Sequence, residues 1–151
     1  MIATLNPFDL RTVLLAKHAQ HVVLIHFPIA LCLSAVAFDL LGRLTHRSEF
    51  STAAYWNFTL AAIGTLPAIV TGLLAWQFQL EGQRIKGILL YHMVAATAST
   101  ILILTIWFSH YRSRKRSESS PPSWLLVLDL AGVMCITITG HLGGFLSGVN
   151  Q

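Results

Sequence analysis

Four long apolar segments, separated by short polar ones, dominate the sequence. They cover about residues 22–41, 53–77, 87–108 and 124–146. A helix needs about 20 mostly apolar residues to cross the hydrocarbon core of a bilayer. The segments reach this length and lack the alternation of apolar and polar residues that predicts strands. The pattern therefore predicts four transmembrane helices.

The polar connections between these segments are short, and they cover residues 42–49, 80–86 and 110–122. Short connections join antiparallel neighbours. We therefore expect an all-α integral membrane protein, with residues 21–151 forming a four-helix bundle in up-down-up-down order.

Residues 1–20 precede this domain and contain the features of a separate short helix. Asn6 can cap a helix, and Pro7 suits its first turn. Leu10, Val13, Leu14 and Lys17 recur at helical spacing. We expect a short N-terminal amphipathic helix that lies on the membrane surface.

Composition excludes several classes of protein. The chain is 54% hydrophobic and 11% charged, whereas a soluble domain carries about 25% charged residues. This excludes an ordinary soluble enzyme and a disordered chain. Cys32 and Cys135 stand alone in apolar segments, so the sequence contains no disulfide framework, thiolate zinc site or covalent haem-attachment motif.

The net charge of +4 comes from basic residues in the gaps between apolar segments, which is typical of a membrane protein and not of a nucleic-acid binder. The first and third connections carry Arg43, Arg47, Arg112, Arg114, Lys115 and Arg116, and the opposite side carries Arg11, Lys17, Arg84 and Lys86. The positive-inside rule places the denser group in the cytoplasm. We expect a multi-pass protein of the bacterial inner membrane with both termini on the periplasmic side.

Histidines are the candidate functional residues, because ionisable groups inside a membrane are costly. His46 and His110 fall at the cytoplasmic boundary and need no function. His26 lies about 7–8 Å along the first helix from His21, while His92 and His141 lie about 9 Å inside the third and fourth helices, at a rise of about 1.5 Å per residue. Three helices thus bring imidazoles to a common depth near the outer face.

This convergence suggests a bound cofactor. Neutral imidazole binds iron, copper and zinc, and two histidines with a ring between them make a six-coordinate b-type haem. We predict His26 and His92, on diagonal helices, as the axial ligands. His21 and His141 could hold a second haem or another metal, or bond haem propionates.

Small residues beside the histidines, such as Ala30, Ala95 and Gly143, would leave room for a flat ring. They are equally typical of close helix packing. A copper or zinc cluster without a ring, a pH-sensing cluster, and a structural or assembly subunit whose histidines only bond between helices are the alternatives.

Two acidic residues, Asp39 and Asp129, belong to the cytoplasmic half of the bundle. We interpret them as interfacial carboxylates paired with arginine. A proton-entry pair for a quinone site is the alternative.

Both ends of the bundle sequence resemble a known family. The segment from His21 to Leu31, HVVLIHFPIAL, with FDLLG from Phe38, and the segment from Thr139 to Leu146, TGHLGGFL, are similar to the opening and closing signatures of a bacterial membrane family catalogued as domain of unknown function 2231. Some members are fused to, or encoded near, cytochrome c-like or Rieske-like redox modules. By analogy, the resemblance implies a redox role.

We therefore expect a small b-type cytochrome-like subunit that transfers electrons near the outer face, inside a larger redox complex. Its partners would be other membrane subunits and a cytochrome c or Rieske-type protein, and a quinone is conceivable. The sequence contains no nucleophile–base motif, so an accessory role fits better than an enzyme.

Overall fold

The computed structural model describes residues 17–78, 80–116 and 121–148. Within these ranges the chain forms helices and turns without any strand. The predicted surface helix of residues 1–20 falls almost entirely outside the described residues.

The described chain contains four α-helices: α1 (Lys17–Thr45), α2 (Ser48–Phe78), α3 (Ile88–Lys115) and α4 (Ser123–Leu146). They are 24 to 31 residues long, which corresponds to about 36–46 Å at the rise of an α-helix. The hydrocarbon core measures about 30 Å, so the helix ends extend into the headgroup region. The predicted all-α membrane bundle is confirmed, and each helix is longer than its apolar segment.

The helices pack as two hairpins. The contact between α1 and α2 is the most extensive, that between α3 and α4 is next, and those of α2 with α3 and of α1 with α4 are smaller. The diagonal pairs hardly touch, which is the ring expected of up-down-up-down order. We call the end where α1 and α3 begin the histidine end, and the opposite end the arginine end.

Small side chains allow α1 and α2 to approach closely. Cys32 and Ala35 of α1 and Ala61 of α2 are fully buried in one cluster. Phe58 and Ile106, the largest fully buried apolar side chains together with Leu125, contribute the bulk of the core. Small residues at helix contacts are the usual means of packing helices in lipid, where van der Waals contact replaces the hydrophobic effect.

The outer surface of the bundle is apolar. Only 17–22% of the residues in the most apolar window of each helix are buried, and side chains such as Phe27, Ile63 and Val127 are more than half exposed. Exposed apolar surface on this scale requires a lipid environment. The chain is a multi-pass membrane protein.

Gly132 of α4 packs tightly against Ile106 of α3. A β-carbon added there would lie 2.6 Å from Cδ1 of Ile106, closer than van der Waals contact allows. At Gly140 of the same helix, an added β-carbon would lie 4.0 Å from Cδ1 of Ile29, which is ordinary contact. Gly132 therefore leaves no room for a β-carbon, whereas Gly140 does.

We expect Gly132→Ala to lower the free energy of unfolding by about 1–3 kcal/mol, the usual cost of overpacking a core. Ile106→Val removes the clashing methyl group, so the double variant should lose less than the sum of the two single losses. Gly140→Ala is the matched control and should leave stability unchanged. The thermal unfolding midpoint in detergent measures all four variants, and additive losses would contradict this account of the contact.

Candidate functional site

His21 lies half-buried between α1 and α2. Its Nδ1 is 3.1 Å from Oγ1 of Thr71, and the hydroxyl of Thr71 donates to the carbonyl oxygen of Pro67 at 2.7 Å. The Thr71 oxygen therefore accepts from His21, so Nδ1 carries the proton and the lone pair is on Nε2. Gly72 faces the ring, and an added β-carbon there would lie 3.0 Å from Cε1.

His92 has the same arrangement in the other hairpin. It is half-buried, and its Nδ1 lies 3.2 Å from the carbonyl oxygen of Thr139 on α4. A carbonyl only accepts, so Nδ1 is again the donor and Nε2 keeps its lone pair. Gly143 faces this ring, with an added β-carbon 3.3 Å from Cε1.

The two inward-facing imidazoles belong to diagonal helices. Each follows the first residue of its helix by four positions, His21 after Lys17 and His92 after Ile88. His21 and His92 are therefore two half-buried histidines from opposite hairpins at the same end of the bundle.

The other two predicted ligands lie on the outside. His26 is exposed, and its Nδ1 bonds the carbonyl oxygen of Val22 of its own helix at 2.5 Å. His141 is exposed and meets the ring of Phe145 edge-on, with centroids 5.0 Å apart. All four predicted histidines lie at the histidine end, two turned inward and two outward. The pairing of His26 with His92 stays a prediction.

The arginine end contains a second, fully buried polar cluster. The exposed fractions of Asp39, His110 and Asp129 are 1%, 4% and 0%. Nε2 of His110 lies 3.2 Å from each carboxylate oxygen of Asp129. The ring of Phe58 stacks on His110 with centroids 4.6 Å apart, which fixes the orientation of the imidazole.

Arg43 connects this cluster to the beginning of α4. Its Nε donates to Oδ2 of Asp39 at 2.5 Å, and its other nitrogens donate to the carbonyl oxygens of Pro121 and Pro122 at 2.9 and 3.4 Å. Oδ1 of Asp39 is buried and has no hydrogen-bond partner among the described residues. One ligand atom each from Asp39, His110 and Asp129 lies within 4.8 Å of the other two.

Sequence reasoning predicted part of this cluster. Asp39 pairs with an arginine, as the sequence predicts, but Asp129 contacts His110, a histidine that the sequence places at the membrane boundary without a function. In the structure, Ser99, Ile103, Ile106 and His110 form a buried stripe of α3 at helical spacing. The exposed faces of α3 are apolar as well, with Ile101, Leu104 and Phe108, so the sequence has no pattern that marks this stripe.

We expect Arg43→Gln to cost about 3–5 kcal/mol of unfolding free energy, because removing one partner of a buried ion pair leaves the other charge unpaired. Adding Asp39→Asn should recover most of the loss. Arg47→Gln is the matched control and should have little effect, since Arg47 and Glu49 are 62% and 69% exposed. Unfolding in mixed micelles measures the series, and an Arg43→Gln variant as stable as the wild type would contradict the interpretation.

Comparison with known proteins gives a family but no activity. A family model described as "Predicted membrane protein (DUF2231)" matches residues 17–150, which include all four helices. No curated protein and no solved structure matches the chain.

Proposed function

The chain belongs to the DUF2231 family of membrane proteins, and from its own histidines we propose that it is a small membrane-embedded electron-transfer subunit that holds a b-type haem at its histidine end. Two imidazoles from diagonal helices are the ligand set of a six-coordinate haem that transfers electrons. His21 and His92 are the pair we assign to it.

The observation that carries this proposal is the hydrogen bond that each of these rings makes through Nδ1. Both histidines spend their Nδ1–H on an oxygen of the neighbouring helix. Metal-ligating histidines almost always donate their second ring nitrogen in this way, which leaves Nε2 as the ligand atom and orients the ring. Thr71 and the carbonyl of Thr139 would act as the orienting groups.

Glycines lie against both rings. Gly72 and Gly143 face the imidazoles at positions where a β-carbon would crowd them, so the missing side chain lets the neighbouring helix pack against each ring and fix its orientation. When bound, the haem iron would supply one-electron redox chemistry. The apolar helices around it would exclude water and influence its potential.

Alternative ligands remain at the same end of the bundle. His26 also donates Nδ1–H, to Val22, so its Nε2 is available on the exposed face of α1. The pairing of His26 with His92 is therefore the competing assignment, with His141 as a further ligand or a propionate partner. The proposed partners are other membrane subunits of a redox complex and a cytochrome c or Rieske-type protein at the histidine end.

We expect the protein purified in detergent to show b-type bands in a reduced-minus-oxidised spectrum. His92→Gly and His21→Gly should each lose about 90% of the band intensity. Loss of one axial ligand leaves five-coordinate iron, which does not give the low-spin spectrum of a haem with two histidine ligands. Added imidazole should restore part of it. His26→Gly should keep the bands, and His46→Ala, in the exposed turn between α1 and α2, is the matched control.

Other outcomes would assign the histidines differently. Loss of the bands in His26→Gly and not in His21→Gly would establish the competing pair. A folded protein that binds no haem, even after addition of hemin, would exclude the electron-transfer proposal. Stoichiometric copper or zinc by elemental analysis would then indicate a metal-binding protein, and absence of both metals a structural or assembly subunit.

We also propose that the arginine end faces the cytoplasm of a bacterial inner membrane, because Arg112, Arg114 and Lys115 end α3 there. In intact spheroplasts, a membrane-impermeant maleimide should label Gln83→Cys and not Lys115→Cys. Both side chains are exposed, and the native Cys32 and Cys135 lie within the bundle. The reverse labelling pattern would invert the orientation.

A further inference from the structure

We propose that the buried cluster at the arginine end is a site for one divalent first-row transition-metal ion, ligated by Asp39, His110 and Asp129. The inference does not depend on haem at the histidine end. It assigns a ligand-binding role to His110, to which sequence reasoning gave none.

Three helices bring the ligand atoms together. Asp39 comes from α1, His110 from α3 and Asp129 from α4, with one ligand atom of each within 4.8 Å of the others. Bonds of about 2.0–2.2 Å place neighbouring ligand atoms about 3–4 Å apart. The 3.2 Å between Nε2 of His110 and the oxygens of Asp129 already has this value, and small side-chain rotations would close the rest.

The unpartnered oxygen of Asp39 points to a missing ligand. Its Oδ2 bonds Arg43, but Oδ1 is buried without a hydrogen-bond partner among the described residues. Asp39 is 1% exposed. A buried carboxylate oxygen has a large desolvation cost unless it accepts a hydrogen bond or contacts a cation. A cation bound between the three side chains would meet this oxygen.

The charges of the cluster favour a cation. The cluster contains two carboxyl groups, and Arg43 contacts only that of Asp39. A bound cation would contact the carboxyl group of Asp129 and the free oxygen of Asp39, and it would take the place of the proton between Nε2 of His110 and Asp129, because metal ligands bind in their deprotonated form.

The donor set selects the class of metal. One imidazole nitrogen and two carboxylate oxygens suit zinc, iron, manganese or cobalt. Calcium takes 6–8 oxygen ligands, and the imidazole nitrogen of His110 is not of this kind. A three-ligand site keeps positions for water, and it would connect α1, α3 and α4 across the weaker contacts between the hairpins.

The test uses the full chain in detergent, stripped with EDTA and titrated with Co²⁺, whose visible absorption reports nitrogen and oxygen ligands. The titrations are repeated in a His21→Ala, His92→Ala background, so that binding at the histidine end is not counted. We expect one equivalent of Co²⁺ in both backgrounds. Asp39→Asn, His110→Gln and Asp129→Asn should each weaken binding at least tenfold, and Glu49→Gln, an exposed carboxylate at the same end, should not.

A second measurement keeps the test valid if a variant is unstable. Zn²⁺ should raise the thermal midpoint of the wild type, because a ligand that binds only the folded state stabilises it, and should not raise that of Asp39→Asn, which loses no hydrogen bond at Oδ1. Folded protein without metal binding, equal affinity in all variants, or binding lost in the His21→Ala, His92→Ala background would each overturn the proposal. The spectral test of haem is separate, so either proposal can fail alone.

Discussion

A bilayer offers no water to polar groups, so every polar side chain inside this bundle must find its partner within the protein. Many hydroxyls solve this locally by donating to the carbonyl four residues earlier on the same helix, as Thr97, Thr105 and Thr137 do. These three hydroxyls make no hydrogen bond to another helix of the described chain. Other polar groups do reach another helix, and the largest clusters of them lie at the two ends of the bundle.

At the arginine end, this constraint produces a buried charged cluster. A carboxylate in a low-dielectric interior is costly unless it is paired, and Arg43 and His110 approach Asp39 and Asp129 from α1 and α3. Arg43 also donates to the carbonyls of Pro121 and Pro122, and this connects α1 to the start of α4. The cluster thus joins helices whose apolar contact is small. It also leaves Oδ1 of Asp39 without a hydrogen-bond partner among the described residues, and the proposed metal site is argued from this oxygen.

At the histidine end, the same constraint selects the tautomer. His21 and His92 each donate Nδ1–H to an oxygen of the partner helix in their hairpin. The neighbouring helix fixes each ring through Nδ1, and Nε2 of the neutral ring keeps a lone pair. Thr139, whose carbonyl accepts from His92, also bonds Ser99 of α3 through its hydroxyl at 2.9 Å. Two polar contacts therefore join α3 and α4 next to this imidazole.

The sequence by itself determined the architecture. Apolar runs long enough to span a bilayer and short polar connections admit hardly any other fold, and the sequence also placed four histidines at one end, since position along a helix sets depth. The direction in which each side chain points depends on how the helices rotate against one another, and no single segment specifies that. Only the tertiary structure therefore turned His21 inward and His26 outward, and only it brought His110 into a buried contact with Asp129. Close packing around small residues such as Ala35 and Gly132 sets these rotations, because the shape of the contacts, and not their hydrophobicity, decides how helices pack in lipid.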